Sequence, residues 1–100
     1  MTLDEFHASI QLNKPPLDLN QLLLALWYDA KGDWEKSHSI IQVIETKDAA
    51  LIHAYLHRKE GDEWNADYWY RMAGANRSSE PLEDEWASLA DKFLLQQSPT

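Results

Sequence analysis

Two histidines on one predicted helix are the residues whose spacing points most directly to chemistry. His53 and His57 stand four positions apart in the segment HAYLHRKEGD, so both imidazoles fall on the same side of a helix. Such a pair can chelate a divalent metal, and Glu60 falls on nearly the same side. The zinc-protease pattern differs, because it requires glutamate directly after the first histidine, where this chain has Ala54. The pair therefore has two interpretations: a ligand or metal site, or two histidines packed and hydrogen-bonded at a helix–helix contact.

The other histidines and the neighbouring basic residues have simpler interpretations. His38 falls on the polar side of the third predicted helix, which we expect to face solvent, and His7 lies in the first helix. Neither needs to approach the histidine pair. The run His57, Arg58, Lys59 ends its helix, where positive charge is favoured by the helix dipole. The same charges could also bind an anion.

Aromatic residues crowd the next predicted helix, where Trp64, Tyr68, Trp69 and Tyr70 are followed by Arg71. One interpretation is a central helix covered on both faces, by the helix before it and by the last helix of the chain. The other is a recognition groove in which tyrosine hydroxyls and Arg71 meet a peptide or an anionic ligand. The second interpretation is based on the use of amphipathic aromatic residues and arginine in binding hot spots.

The motifs of common enzyme classes are missing from the sequence. It has no glycine-rich phosphate loop, no serine in a Gly-x-Ser-x-Gly setting and no dinucleotide fingerprint. Cysteine is absent, which excludes disulfides, thiolate zinc ligands and a cysteine nucleophile. The sequence therefore predicts no catalytic residue, no cofactor and no resident metal. Acid–base chemistry would require His57 and Glu60 to share a cleft.

The composition predicts one folded, acidic domain over residues 1–100. Seventeen acidic residues against nine basic ones give a net charge of −8, which disfavours binding to nucleic acid or to an anionic membrane. Apolar residues make up 44% of the chain, enough for one modest core. The longest apolar run, 22–28, is too short to cross a bilayer, and the N-terminal residues do not form a signal peptide. We therefore expect a cytoplasmic protein.

The elements that must position these side chains are helices only. Apolar residues recur at helical spacing, and prolines or Gly-Asp pairs mark the breaks. We expect Asp18 to cap the second helix and the tail 96–100 to fray. The fold class is predicted as all-α, with about six antiparallel helices near 3–11, 17–31, 34–45, 49–60, 63–73 and 81–95.

An offset of 29 residues relates two of the predicted hairpins. Gly32–Asp33 and Gly61–Asp62 stand 29 positions apart (61 − 32), and the same shift brings Leu22 onto Leu51. Neither hairpin can bury its apolar face alone. We therefore expect the two hairpins to stack, with the first and last helices as caps.

Two segments of the chain resemble tetratricopeptide repeats: LLLALWYDAKGDWEKSHSIIQVI and ALIHAYLHRKEGDEWNADYWYRMAG. Both have Gly-Asp at the turn, and small residues occur at Ala25, Ser37, Ala54 and Ala66. The run NADYWYRMAG is similar to the closing half of a Sel1-type repeat. HAYLHRKEGD followed by NADYWYRMAG also resembles a group of short uncharacterised bacterial proteins that share this signature. The resemblance covers about residues 19–74. It implies a helical-hairpin fold that binds partners, and it implies no reaction.

Together these observations predict a non-enzymatic interaction module that binds a protein or peptide, or a second copy of itself, through its hairpin surfaces. The alternative is a small-ligand or metal-binding protein with its site around His53, His57 and Glu60. The most specific expectation is that His53 is structural and that His57 borders a shallow groove with Tyr70 and Arg71. The residues predicted to bind are His53, His57, Arg58, Glu60, Tyr70 and Arg71.

Overall fold

The computed structural model describes residues 1–97, which contain six α-helices and no strand. This confirms the predicted all-α class. The helices are α1 (Leu3–Ser9), α2 (Gln21–Ala30), α3 (Trp34–Ile41), α4 (Lys47–Lys59), α5 (Glu63–Met72) and α6 (Leu82–Gln97). No helix of the described residues is both long and apolar enough to cross a membrane.

Several helix ends differ from the predicted ones because other residues cap them. Asn20 caps α2 by accepting a hydrogen bond from the amide of Leu23, so the prediction of Asp18 as the cap is wrong. The hydroxyl of Thr46 starts α4 two residues earlier than predicted. Helix α6 continues to Gln97, whose side-chain oxygen accepts the amide proton of Asn20 at 2.7 Å. The predicted fraying therefore does not apply to residues 96 and 97, and residues 98–100 lie outside the described part.

The two Gly-Asp turns have the geometry that the sequence predicts. Gly32 and Gly61 have φ values of 88° and 86°, a conformation that only glycine adopts without strain. Asp33 and Asp62 then cap α3 and α5, each accepting a backbone amide two or three positions into the helix. The chain thus forms two helical hairpins, α2–α3 and α4–α5.

The core lies between the first hairpin, α4 and the two terminal helices. Helix α4 packs against α2, α3, α5 and α6, and α6 packs against α1 and α2 as well. Trp86 of α6 is 7% exposed, stacks on Phe6 and donates its indole N–H to the carbonyl oxygen of Leu26 at 2.9 Å. Helix α6 therefore closes the core, as expected for a capping helix.

Candidate functional site in the α4–α5 hairpin

Helix α4 lies between α3 and α5, so one row of its side chains contacts both neighbouring helices. His53 and His57 occupy this row one helical turn apart, and their rings stack with centroids 4.9 Å apart. They are only 6% and 9% exposed. The i, i+4 spacing thus places both imidazoles inside the α3–α4–α5 contact rather than on the surface.

A third histidine joins the pair, contrary to the prediction that His38 faces solvent. His38 is half-buried, and its Nε2 atom lies 3.0 Å from Nε2 of His53. One ring nitrogen each of His38, His53 and His57 lies within 4.8 Å of the other two. The reason is that α3 packs along α4, so the side of α3 that carries Trp34 and His38 faces the histidine row. We call these three residues the histidine cluster.

Two tryptophans hold the rings of the histidine cluster in place. Trp34 stacks on His38 with ring centroids 4.9 Å apart and planes 9° from parallel. Trp69 of α5 stacks on His53 at 4.0 Å and 15°. Trp34 is fixed in turn, because its indole N–H donates to the carbonyl oxygen of Leu56 at 2.8 Å. The cluster is therefore enclosed by flat apolar surfaces from both neighbouring helices.

Burial favours the neutral form of two of the three imidazoles, those of His38 and His53. Burial, together with the neighbouring His38 and His57, lowers the pKa of His53 to about 4. Burial also lowers the pKa of His38, helped by the nearby His57 and opposed by Glu60 and Glu35. The short contact between His38 and His53 is then a hydrogen bond in which one Nε2 donates and the other accepts.

Glu60 fixes the orientation of the third ring. Nδ1 of His57 lies 2.6 Å from Oε1 of Glu60, so the nitrogen donates its proton to this carboxylate. The other ring nitrogen, Nε2, then carries the lone pair. Asp62 also lies near this end of His57, but its two oxygens accept hydrogen bonds from Asn65. The sequence-predicted group of His53, His57 and Glu60 is thus brought together, with His38 added to it.

Two other predicted binding residues meet at a different place and have a structural partner. Arg58 donates to Oε1 of Glu85 at 2.7 Å, and the Tyr70 hydroxyl donates to Oε2 of the same carboxylate at 2.5 Å. Glu85 and Tyr70 are buried, and burial beside Glu85 raises the pKa of the Tyr70 hydroxyl. Arg58 and Tyr70 therefore tie α4 and α5 to α6, and Tyr70 and Glu85 also line a small cavity of about 230 Å³.

The outer face of α5 is exposed, which contradicts the interpretation that α6 covers it. No Cα atom of α5 lies within 8 Å of a Cα atom of α6 among the described residues. Trp64, Tyr68 and Met72 form a stripe at four-residue spacing and are 75%, 39% and 52% exposed. Arg71 is exposed next to this stripe. We call these four residues the α5 stripe.

Helix α2 contains a buried acid that the sequence analysis did not predict. Asp29 is 2% exposed and accepts hydrogen bonds from the Tyr55 hydroxyl at 2.7 Å and the Lys59 ammonium at 2.8 Å. Its partners stand 26 and 30 positions later. The sequence does carry a signal for this acid, because α2 is otherwise apolar on nearly all sides. An aspartate in such a helix is expected to be buried, and a buried carboxylate needs a partner. These three residues line one end of a cleft of about 750 Å³ between α1, α2, α4 and α6.

Helices α3, α4 and α5 thus offer two different chemistries: a largely buried set of three imidazoles, and an exposed aromatic helix face beside an arginine. Comparisons with known protein families, with curated proteins and with solved structures find no match. Function must therefore be argued from these two groups of side chains.

Proposed function

We propose that this protein is a non-enzymatic interaction module of the cytoplasm, which binds an amphipathic segment of a protein partner through the α5 stripe. The observation that carries the proposal is the exposure of Trp64, Tyr68 and Met72 on one helix face. Large apolar side chains that are exposed together, unlike scattered single ones, are typical of binding surfaces.

The first hairpin shows that the fold does not require an aromatic surface at this place. Shifted by 29 positions, Trp64 and Tyr68 correspond to Glu35 and Ser39 of α3, and Met72 corresponds to Val43, which lies just after α3. Those residues are also exposed, and two of them are polar. The α3 face therefore is an ordinary solvated helix face, whereas its α5 counterpart carries a tryptophan, a tyrosine and a methionine.

The position of α5 in the structure suits the docking of a further helix. Helix α3 is covered on one side by α4, while α5 packs against α4 alone among the helices. A partner helix placed on α5 would continue the succession of packed helices.

The chemistry of the α5 stripe and the charge of the chain describe the expected partner. Tryptophan, tyrosine and arginine are the residues that most often carry binding energy, and methionine adapts to varied apolar surfaces. The net charge of −8 favours approach of a positively charged partner. We therefore expect an amphipathic segment with an apolar face and basic flanks.

The experiment compares the full chain with a stripe variant and a matched control. A photo-reactive residue at position 72 marks the proteins that touch α5 in the native cell, and mass spectrometry identifies them. The double variant Trp64→Ser with Tyr68→Ser should weaken binding of an identified partner at least tenfold, without changing thermal stability. The control Leu17→Ser removes a leucine that is 99% exposed outside α5 and should leave binding unchanged.

Two results would contradict the proposal. One is a partner that binds the stripe variant as tightly as the unchanged protein. The other is a cross-link pattern with no protein attached to position 72. Cross-linking to a second copy, with a dimer seen by analytical ultracentrifugation, would identify the partner as the chain itself, and the stripe variant should then be monomeric.

A further inference from the structure

We infer that His38, His53 and His57 form a binding site for one divalent transition-metal cation of the zinc, nickel, copper or cobalt type. This inference goes beyond the proposed interaction function and rests on different side chains. Its starting point is the convergence of three imidazoles from two helices, α3 and α4, which bring one ring nitrogen each to within 4.8 Å of the others.

The separation of the donor atoms fits a common metal ion. Histidine nitrogens bind zinc at about 2.0–2.1 Å, so two such nitrogens on one tetrahedral ion are about 3.3 Å apart. The Nε2 atoms of His38 and His53 are 3.0 Å apart. This pair would need to separate by only a few tenths of an ångström, with the proton between the two nitrogens moving to an Nδ1 atom. The ring nitrogen of His57, which lies within 4.8 Å of the other two, would move in to complete the set.

The tautomer of the third ligand is already set. The carboxylate of Glu60 accepts the Nδ1 proton of His57 at 2.6 Å, which leaves the lone pair on Nε2. Metal-binding histidines usually donate their second ring N–H to such a carboxylate or to a backbone carbonyl. Glu60 is thus a positioning residue for the site, and its carboxylate need not touch the ion.

The surroundings of the histidine cluster favour a fixed site. Trp34 stacks on His38, and Trp69 stacks on His53, so the planes of two ligand rings are held by their neighbours. His53 and His57 are also buried, and burial strengthens the attraction between a cation and its ligands. A site whose ligands are already oriented loses little conformational freedom on binding.

The donor set selects a class of ion. Three neutral imidazoles suit zinc, copper, nickel and cobalt, whereas calcium and magnesium require oxygen ligands. The cluster has no carboxylate donor among its three members. Calcium should therefore fail to bind here even at concentrations that saturate the site with zinc.

The competing interpretation is a purely structural cluster, in which the imidazoles only stack and share one N–H···N hydrogen bond. Both interpretations explain the burial and the short nitrogen contact. They differ in what happens when metal is added, because a structural cluster gives no stoichiometric response. The test therefore measures metal binding directly.

The experiment titrates the chelator-treated full chain with zinc, nickel and calcium chlorides by isothermal calorimetry. We expect one zinc or nickel ion per chain and no calcium binding. His38→Gln should weaken zinc binding at least about 100-fold, and Glu60→Gln about 10- to 100-fold, the usual range for a residue that orients a ligand. The matched control is His7→Gln, because His7 is exposed and lies against Trp86 rather than near the histidine cluster.

A second readout needs no variant and so does not depend on its folding. In nuclear magnetic resonance spectra of the unchanged protein, zinc should shift the ring signals of His38, His53 and His57 together and leave those of His7 unchanged. The absence of one-to-one binding would overturn the inference, and so would equal affinity of the folded His38→Gln variant or a zinc response at His7 alone. The α5 stripe does not contain these residues, so failure here leaves the proposed interaction function standing.

Discussion

The two helical hairpins of this protein share one backbone plan and carry different side chains. In both, the second helix begins at an aspartate cap, Asp33 in the first hairpin and Asp62 in the second. The amides of these aspartates donate to the carbonyl oxygens of Tyr28 and His57, at 2.9 Å in each case. The turn that joins the helices is therefore the same structure made twice.

The side chains that differ between the hairpins lie next to these common turns. Leu24 and Tyr28 of α2 are half-buried, and the positions 29 residues later hold the buried His53 and His57. A leucine and a tyrosine thus occupy the same backbone positions without a histidine cluster. The comparison teaches that the turn residues build the hairpin, whereas the imidazoles are an addition that the backbone does not require.

The largest expected difference between the hairpins concerns their share of the core. Trp27 of α2 is 1% exposed and donates its indole N–H to the carbonyl oxygen of Ser9 at 3.3 Å. Trp27→Ala should lower the free energy of unfolding by about 3–5 kcal/mol, because it leaves a cavity in the core. Trp64→Ala on α5 should change it by less than about 0.5 kcal/mol. Urea unfolding measures both, and equal losses would show that the α5 stripe is part of the packed structure.

The next difference is the pH dependence that His53 gives to the second hairpin, where the first hairpin carries Leu24. In the metal-free protein the pKa of His53 is about 4, lowered by burial and by His38 and His57, against 6.5 in the unfolded chain. Below pH 6.5 the unfolded state binds a proton that the folded state does not, so stability is lost as the pH falls toward 4. Between pH 6.5 and pH 4 the free energy of unfolding should fall by about 2–3 kcal/mol. Above pH 6.5 the stability that comes from keeping His53 neutral is fully present.

The control for this pH dependence is taken from the first hairpin. His53→Leu places there the residue that α2 carries at the equivalent position. Its free energy of unfolding should fall less steeply between pH 7 and pH 4 than that of the unchanged protein. Every other ionisable side chain is the same in the two proteins, so the difference between their curves reports on His53. Parallel curves would show that the pKa of His53 is the same in the folded protein as in the unfolded chain, which would contradict the prediction.

The sequence predicts the helices and turns well because their signals are local. Glycine needs its own φ region, and Asp62 caps a helix within three residues of itself. The approach of His38 to the histidine pair is different, because it depends on how α3 packs along α4. The exposure of Trp64 depends on the path of α6, which turns away to the core. A helical pattern shows which residues share a face, but it does not show what covers that face.

The two Gly-Asp turns should not differ from each other in the stability that is lost when their glycines are replaced. Gly32 and Gly61 have φ values of 88° and 86°, and a Cβ atom at either position would meet nothing within 4 Å. The cost of a substitution is therefore the backbone strain alone. Gly32→Val and Gly61→Val should each lower the free energy of unfolding by about 1–2 kcal/mol, because a β-branched residue is strained at positive φ.

The two costs should agree within about 0.5 kcal/mol, the usual limit for independent equivalent changes. Gly32→Asn and Gly61→Asn serve as controls, since asparagine tolerates positive φ and should cost less than valine at both turns. Thermal unfolding of the four variants measures all of these effects. A much larger cost at Gly61 would mean that its turn also supports the histidine cluster, through the hydrogen bond from Asp62 to the carbonyl oxygen of His57. In that case the histidines would be coupled to the hairpin backbone, and the separation between turn residues and added imidazoles would not hold.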